Sequence, residues 1–305
     1  MIFLALQLDA RIKELCREEK DESLPRSIST LQCSMIINNN KYLALGPLKF
    51  ELKNDRAMRA IIHEFLSEKE LDFFNKRFRS LLKYEYSAPL ITTGYKVGQI
   101  AKSSMLTIKK IFYDKEAGSR NSNNVEISNS QPQKLEQVVK NSNYDHLYLN
   151  STTVSEDLLE KISKRIELIT TLNVTKEGAA SKYRVSLYGL GGMTESHSDV
   201  YSMSGMGDNI ATFMVWLKDV AGGGGTYFSS SLAKQVMMPV KGSALIWINS
   251  LASGASNILQ DHGGCPVCIG SKFTLSRWIY NYPQWKGIPC GIDEKLSATL
   301  PFYRM

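Results

Sequence analysis

Apolar positions recur at helical spacing in the first half of the chain and in short, dense blocks after about residue 180. The opening "MIFLALQLDARIKEL" is apolar and then charged, which predicts an amphipathic helix running to about Cys16. It has neither the basic start nor the small-residue cleavage site of a secretory leader. A turn is expected at Asn38–Asn40, and "YLALGPLKFEL" (42–52) reads as extended structure around Pro47. Ser67-x-x-Glu70 has the form of a capping box. Behind it, Leu71, Phe74, Phe78 and Leu82 fall on one helical face. Thr153-x-x-Glu156 repeats the signature ahead of Leu158, Leu159, Ile162, Ile166 and Ile169. Residues 117–142 are rich in Ser, Asn and Gln and read as a mobile loop.

The blocks after residue 180 predict a different layout. "YRVSLYGL", "IATFMVWL", "QVMMPV", "SALIWIN" and "FTLSRWIYNY" are β-branched and aromatic. Between them lie "GLGG", "GGGG", "KGS" and "HGG". Short strands at this spacing predict an antiparallel sandwich or jelly roll. The expected fold class is therefore mainly β with flanking α-helices around a jelly-roll core.

Composition narrows the partners. The chain has 305 residues, 43% of them hydrophobic, which suits a globular core. The net charge of +7 comes from interspersed Lys and Arg, and no nucleic-acid recognition motif accompanies it. Nucleic acid is thus excluded as the expected partner. No apolar run reaches the length of a transmembrane helix. The cysteines are Cys16, Cys33, Cys265, Cys268 and Cys290, an odd number that leaves at least one free thiol. Cys265-Pro-Val-Cys268 has the spacing of half a zinc site or of a redox pair. The chain lacks the second CxxC that a structural zinc site would need. Asn150-Ser-Thr and Asn173-Val-Thr would accept N-glycans in a secretory chain.

The candidate chemistry sits in the β half. His197 and Asp199 lie one residue apart in "GGMTESHSDVYS", and His262 follows in "LQDHGGCPVCIGSKFTLSRW". The chain has four histidines, and these are the last two. Two imidazoles and a carboxylate form the facial set that holds non-haem Fe(II) and leaves coordination positions open. On a strand, His197 and Asp199 would share a face, and a strand from the opposite end of the barrel would add His262. A zinc hydrolase could use the same donors, but the HExxH helix of metallopeptidases is absent. Lys272, ten residues after His262, sharpens the choice. A cation inside a small barrel is costly unless it meets an anion. A dicarboxylate that chelates the metal at one end would place its other carboxylate there. Thr226 and Tyr188 could add hydroxyl donors.

Four blocks, "SLYGLGGMTESHSDV", "NIATFMVWLKDVAGGGGTYF", "KGSALIWIN" and "HGGCPVCIGSKFTLSRWIY", together resemble the catalytic domain of prolyl 4-hydroxylase alpha subunits. Weaker similarity runs upstream through "LCREE", "LQC", "LALGPLKFE" and "HEFLSEKE". The resemblance implies a double-stranded β-helix and an Fe(II)- and 2-oxoglutarate-dependent dioxygenase that converts peptidyl proline to 4-hydroxyproline. It implies His197, Asp199 and His262 as Fe(2+) ligands, and Lys272 on the far carboxylate of 2-oxoglutarate. It aligns Tyr188 and Thr226 with co-substrate residues and puts Trp278 near the active site. L-ascorbate as reductant, a proline-rich or collagen-like polypeptide substrate and protein disulfide isomerase as partner subunit also follow from it. So do disulfides Cys16–Cys33 and Cys265–Cys290, with Cys268 left over. Disulfides imply the endoplasmic reticulum lumen.

Three departures from the family pattern stand out. Thr194 replaces a tyrosine and Asn209 an arginine, both at positions facing the family's substrate. The family also carries a helical peptide-binding domain ahead of the catalytic one. Residues 1–55 are accordingly expected to be a lead-in segment, the remnant of that region, with the catalytic domain at 56–305. A weak or inactive paralogue acting as a binding or assembly subunit is the alternative reading.

Overall fold

The computed structural model describes residues 10–17, 32–36, 41–54, 57–77, 145–148, 156–189, 191–200, 202–203, 207–251 and 253–284. In chain order the first half gives α1 (Ala10–Arg17), β1 (Gln32–Ile36), α2 (Lys41–Leu45), β2 (Leu48–Asn54), β3 (Arg59–Ile62), α3 (Glu68–Arg77), β4 (Asp145–Tyr148) and α4 (Glu156–Thr170). Then come β5 (Arg184–Tyr188), β6 (Thr194–His197), β7 (Ser202–Met203), β8 (Gly207–Trp216), β9 (Gly222–Gly223) and β10 (Thr226–Phe228). The last strands are β11 (Gln235–Met237), β12 (Ala244–Ile248), β13 (His262–Gly264), β14 (Val267–Ile269) and β15 (Lys272–Tyr280).

Two antiparallel sheets make the core. The larger runs β1-β2-β3-β12-β8-β15-β5-β4, and the smaller runs β11-β10-β13-β6. From β5 onward the chain alternates between them. β5, β8, β12 and β15 go to the large sheet, and β6, β10, β11 and β13 to the small one. That alternation is the jelly roll expected from the strand blocks.

The central strands of the large sheet, β3, β12, β8 and β15, are covered on both faces and read as nearly unbroken apolar runs. On β8, Ala211, Phe213 and Val215 point to the helical layer, where Ile162, Ile166 and Ile169 of α4 are fully buried. Met214 and Trp216 point the other way, into the space between the sheets, with Ile61, Phe228, Met237, Leu245 and Trp247. The capping box at Ser67 forms as expected. The Ser67 amide donates to Glu70 Oε2 at 2.8 Å, and the Glu70 amide donates to Ser67 Oγ at 3.4 Å. Arg165 of α4 then clamps Glu70, with Nη2 donating to Oε1 at 2.8 Å, so the cap also joins the two helices.

Three local expectations change. Residues 42–52 are not extended throughout: α2 precedes β2, and Pro47 between them stops the helix and starts the strand. The glycine run is more than a separator. Gly222–Gly223 pairs with β14, and a Cβ on Gly223 would lie 2.2 Å from the Pro266 carbonyl oxygen, so only glycine allows this approach. The expected disulfide pairing is also corrected. Leu15 of α1 packs with Tyr227 and Val236, which brings Cys16 against Cys265. The two bond, with Cα atoms 5.6 Å apart, and Cys268 is free and exposed. Cys290, Phe78, Leu82, Thr153, Asn38–Asn40 and the 117–142 segment lie outside the described residues.

Closing a loop of this length stabilises a fold by about 2–5 kcal/mol. Reduction should therefore lower the melting temperature of the purified protein. Non-reducing peptide mapping should recover Cys16 linked to Cys265. A Cys16–Cys33 peptide would overturn the pairing.

Candidate active site

His197 closes β6 and His262 opens β13, and the two are direct cross-strand partners in the small sheet. His262 therefore arrives from the neighbouring strand and not from the opposite end of the barrel, because β13 lies between β6 and β10. Asp199 lies just beyond β6, so the turn after the strand aims it, not strand alternation. The outcome is the expected cluster: one donor atom from each of the three lies within 4.8 Å of the others.

Each ligand is held from behind. His197 Nδ1 meets the Glu195 carbonyl at 2.9 Å, and His262 Nδ1 meets the Gln260 carbonyl at 2.8 Å. Donation through Nδ1 leaves both Nε2 lone pairs facing Asp199, at 3.6 Å for His197 and 3.7 Å for His262. Thr212 Oγ1 donates to Asp199 Oδ2 at 2.7 Å, and Asn209 Nδ2 donates to the Asp199 carbonyl at 2.7 Å. Burial alone would raise the Asp199 carboxyl, but the His262 imidazole and the Thr212 hydroxyl outweigh it and hold it below the usual range. Burial pushes His262 down to about 4, so its imidazole is neutral at neutral pH, the form that binds metals. The His262 ring packs 4.7 Å from Trp247 and 5.7 Å from Phe228. The His197 side chain is 40% exposed and the Asp199 side chain 3%, so the cluster opens to solvent on the His197 side. The donor set fits a divalent first-row metal: charge −1, two borderline nitrogens, one hard oxygen and an open side.

The second half of the site lines β15 and β5. Lys272, Thr274, Ser276 and Trp278 share one face of β15, while Phe273, Leu275 and Ile279 pack into the helical-side core. Lys272 pairs with Tyr188 across the strands, and Thr274 with Ser186. The Lys272 ammonium lies 5.3 Å from the Tyr188 ring centroid and donates to Thr226 Oγ1 at 3.1 Å. Lys272, Thr226 and Tyr188 are thus brought together as the sequence suggests. Burial pushes Lys272 down to about 7, and among the described residues no carboxylate reaches it. Ser186 Oγ nearby is buried with no hydrogen-bond partner among the described residues. An unmatched cation and an orphaned hydroxyl on one buried face of β15 and β5 suit a small anion with polar oxygens. Trp278 lies buried at the other end of the same β15 face.

The two departures land beside the cluster. Thr194 Oγ1 donates to Tyr188 Oη at 3.3 Å. Asn209 is buried, and its Nδ2 donates to the backbone carbonyl of Asp199. Sequence reasoning did not single out Thr212, Ser186, Thr274 or Ser276. The alternation in "KFTLSRWIY" carried the signal for the last two.

A family model described as the 2OG-Fe(II) oxygenase superfamily matches residues 183–280. The chain carries a 2OG-Fe(II) oxygenase domain. The domain spans the segments that supply His197, Asp199, Thr226, His262 and Lys272. The chain is homologous to prolyl 4-hydroxylase alpha subunits. It is 26% identical to rat prolyl 4-hydroxylase subunit alpha-1 over 289 residues, covering 92% of this chain and 45% of the relative. It is 27% identical to mouse subunit alpha-3 over 299 residues, covering 95% of this chain and 46% of the relative. The chain thus spans about half the length of these relatives. A viral collagen prolyl hydroxylase from Paramecium Bursaria Chlorella virus-1, solved with 2OG, aligns at a TM-score of 0.45 and 19% identity, covering 73% of this chain and 95% of that one.

Proposed function

We propose that this chain is an Fe(II)- and 2-oxoglutarate-dependent dioxygenase that hydroxylates peptidyl proline to 4-hydroxyproline in proline-rich or collagen-like polypeptides. One observation carries the reading: a two-His, one-Asp cluster shares a barrel with a buried lysine that meets no carboxylate among the described residues. His197, Asp199 and His262 would hold Fe(2+). Lys272, Thr226 and Tyr188 would hold the far carboxylate of 2-oxoglutarate. When bound, the metal supplies the oxidation: 2-oxoglutarate gives succinate and CO2, one oxygen atom of O2 entering succinate and the other the proline ring.

The protein's own groups prepare that chemistry. The backbone acceptors at Glu195 and Gln260 fix the two imidazoles, and His262 and Thr212 hold the Asp199 carboxyl below its usual range. Met214, Trp216, Phe228 and Trp247 fill the barrel between the sheets and exclude water. His197 is the exposed ligand, so the peptide approaches from its side. Residues 56–305 would carry the catalytic domain, with the segment before them as its lead-in. L-ascorbate would restore Fe(2+), and protein disulfide isomerase would be the partner subunit. The Cys16–Cys265 bond and the homology support the endoplasmic reticulum lumen as the compartment. A binding or assembly subunit is the second reading, favoured by Thr194 and Asn209.

The test is mass spectrometry of Pro-Pro-Gly repeats incubated with the purified protein, Fe(2+), 2-oxoglutarate and L-ascorbate. A 2-oxoglutarate-dependent gain of one oxygen on proline is expected. No succinate release with any proline-rich peptide would sink the enzyme reading and leave the assembly subunit.

A further inference from the structure

We propose that Arg59 is a positioning residue for the metal centre, acting with Gln260 to fix the His262 imidazole. The inference rests on the reading of the triad as a metal site. Arg59 opens β3 and pairs with Trp247 of β12, far in sequence from every ligand. It is fully buried, and among the described residues no carboxylate meets it.

Its guanidinium reaches His262 by two routes. The first is polar. Arg59 Nε donates to Gln260 Oε1 at 3.0 Å, Nη1 donates to the Ala233 carbonyl at 2.6 Å, and Nη2 donates to the Leu259 carbonyl. Gln260 Nε2 in turn donates to the Ala57 carbonyl, so its amide is gripped at both ends. Leu259 and Gln260 belong to the 3-10 turn Ile258–Gln260, whose last carbonyl is the acceptor for His262 Nδ1 at 2.8 Å. The second route is through a ring. The guanidinium lies 3.7 Å from the Phe228 centroid, Phe228 is the cross-strand partner of His262, and the two rings are 5.7 Å apart.

A buried cation without an anion is costly, and three oxygen acceptors with an aromatic face offset that cost. Such an arrangement stiffens whatever supplies the acceptors. Here that is the turn that selects the His262 tautomer and the ring that sets its tilt. Lysine cannot reproduce a planar fork with several diverging donors.

Co(II) binding to the metal-free protein tests the idea without turnover. Affinity and the visible Co(II) spectrum are measured for wild type, Arg59→Met, Arg59→Lys and Gln260→Met. Arg277→Met is the control, since Arg277 is a partly buried arginine that bonds Ser181, Ser163 and Val174 on the helical side. Loss of a group that orients a ligand costs about 10–100-fold in metal affinity. That loss, with an altered spectrum, is expected for both Arg59 variants and for Gln260→Met, but not for Arg277→Met. Where Arg59→Met does not fold, Arg59→Lys and Gln260→Met decide. Wild-type Co(II) affinity and spectrum in folded Arg59→Lys and Gln260→Met would overturn the inference alone. A wild-type protein that takes up no Co(II) would overturn the triad reading and the inference with it.

Discussion

Asp199→Ala is expected to remove metal binding and to cut succinate release a thousandfold or more, about 4 kcal/mol of transition-state stabilisation. Asp199 is the only anion in the cluster. Without it, two imidazoles remain, one of them on the solvent-exposed side. The fold should tolerate the change better than loss of a ring, because Asp199 is a small side chain and the Asn209 amide still reaches the backbone carbonyl at 199. Thr212 keeps a partner, since its hydroxyl accepts from Asn249 Nδ2 at 2.9 Å. The contrast is His262→Ala. That ring packs among Phe228, Trp247 and His197, so its removal leaves a cavity and lowers stability by about 2–4 kcal/mol besides abolishing the metal site. Co(II) titration and thermal melts of the two variants separate these effects. An Asp199→Ala protein that bound Co(II) as tightly as wild type would remove the carboxylate from the site.

The sequence made the strand blocks legible because glycine separators and β-branched runs are local signals. Which strands meet is not local. β6 and β13 are distant in the chain yet adjacent in the small sheet, and that adjacency, not a crossing of the barrel, joins His197 to His262. The position of Asp199 depends on the segment after β6, which strand period does not describe. Lys272 was legible because a lysine in an apolar strand contradicts its surroundings. Thr212 was not, since one threonine in "IATFMVWL" looks like ordinary strand composition. Arg59 was hidden for a further reason: its partners at Ala233, Leu259 and Gln260 lie about two hundred residues away, and no pattern within "RAMRAII" announces them. The cysteine pairing failed in the same way. It was carried over from a family pattern, while α1 docks on β10 and β11 and brings Cys16 to Cys265.

Lys272→Met should separate co-substrate binding from folding with opposite signs. In the metal-free, co-substrate-free protein, the lysine is buried without an anion and pushed from its ordinary 10.5 down to about 7. The unfolded chain therefore binds more protons than the folded one between about pH 7 and 10.5, and stability rises with pH across that window. Below pH 7 the whole cost of burying the charge is present, on the order of 5 kcal/mol. Above 10.5 it is gone. Methionine fills similar volume without the charge, so the variant should melt higher than wild type at pH 6–7, and the gap should close as pH approaches 10.5. Differences between the two proteins cancel the other titrating groups. Co-substrate binding should move the other way. Truncating one partner of a buried, hydrogen-bonded charge pair costs about 2–5 kcal/mol, which predicts a rise in the 2-oxoglutarate KM of roughly 30- to several-thousand-fold. With Co(II) present at pH 7, 2-oxoglutarate should raise the melting temperature of wild type and leave Lys272→Met nearly unmoved. A variant less stable than wild type at pH 7, with an unchanged response to 2-oxoglutarate, would show that Lys272 supports the barrel and meets no dicarboxylate.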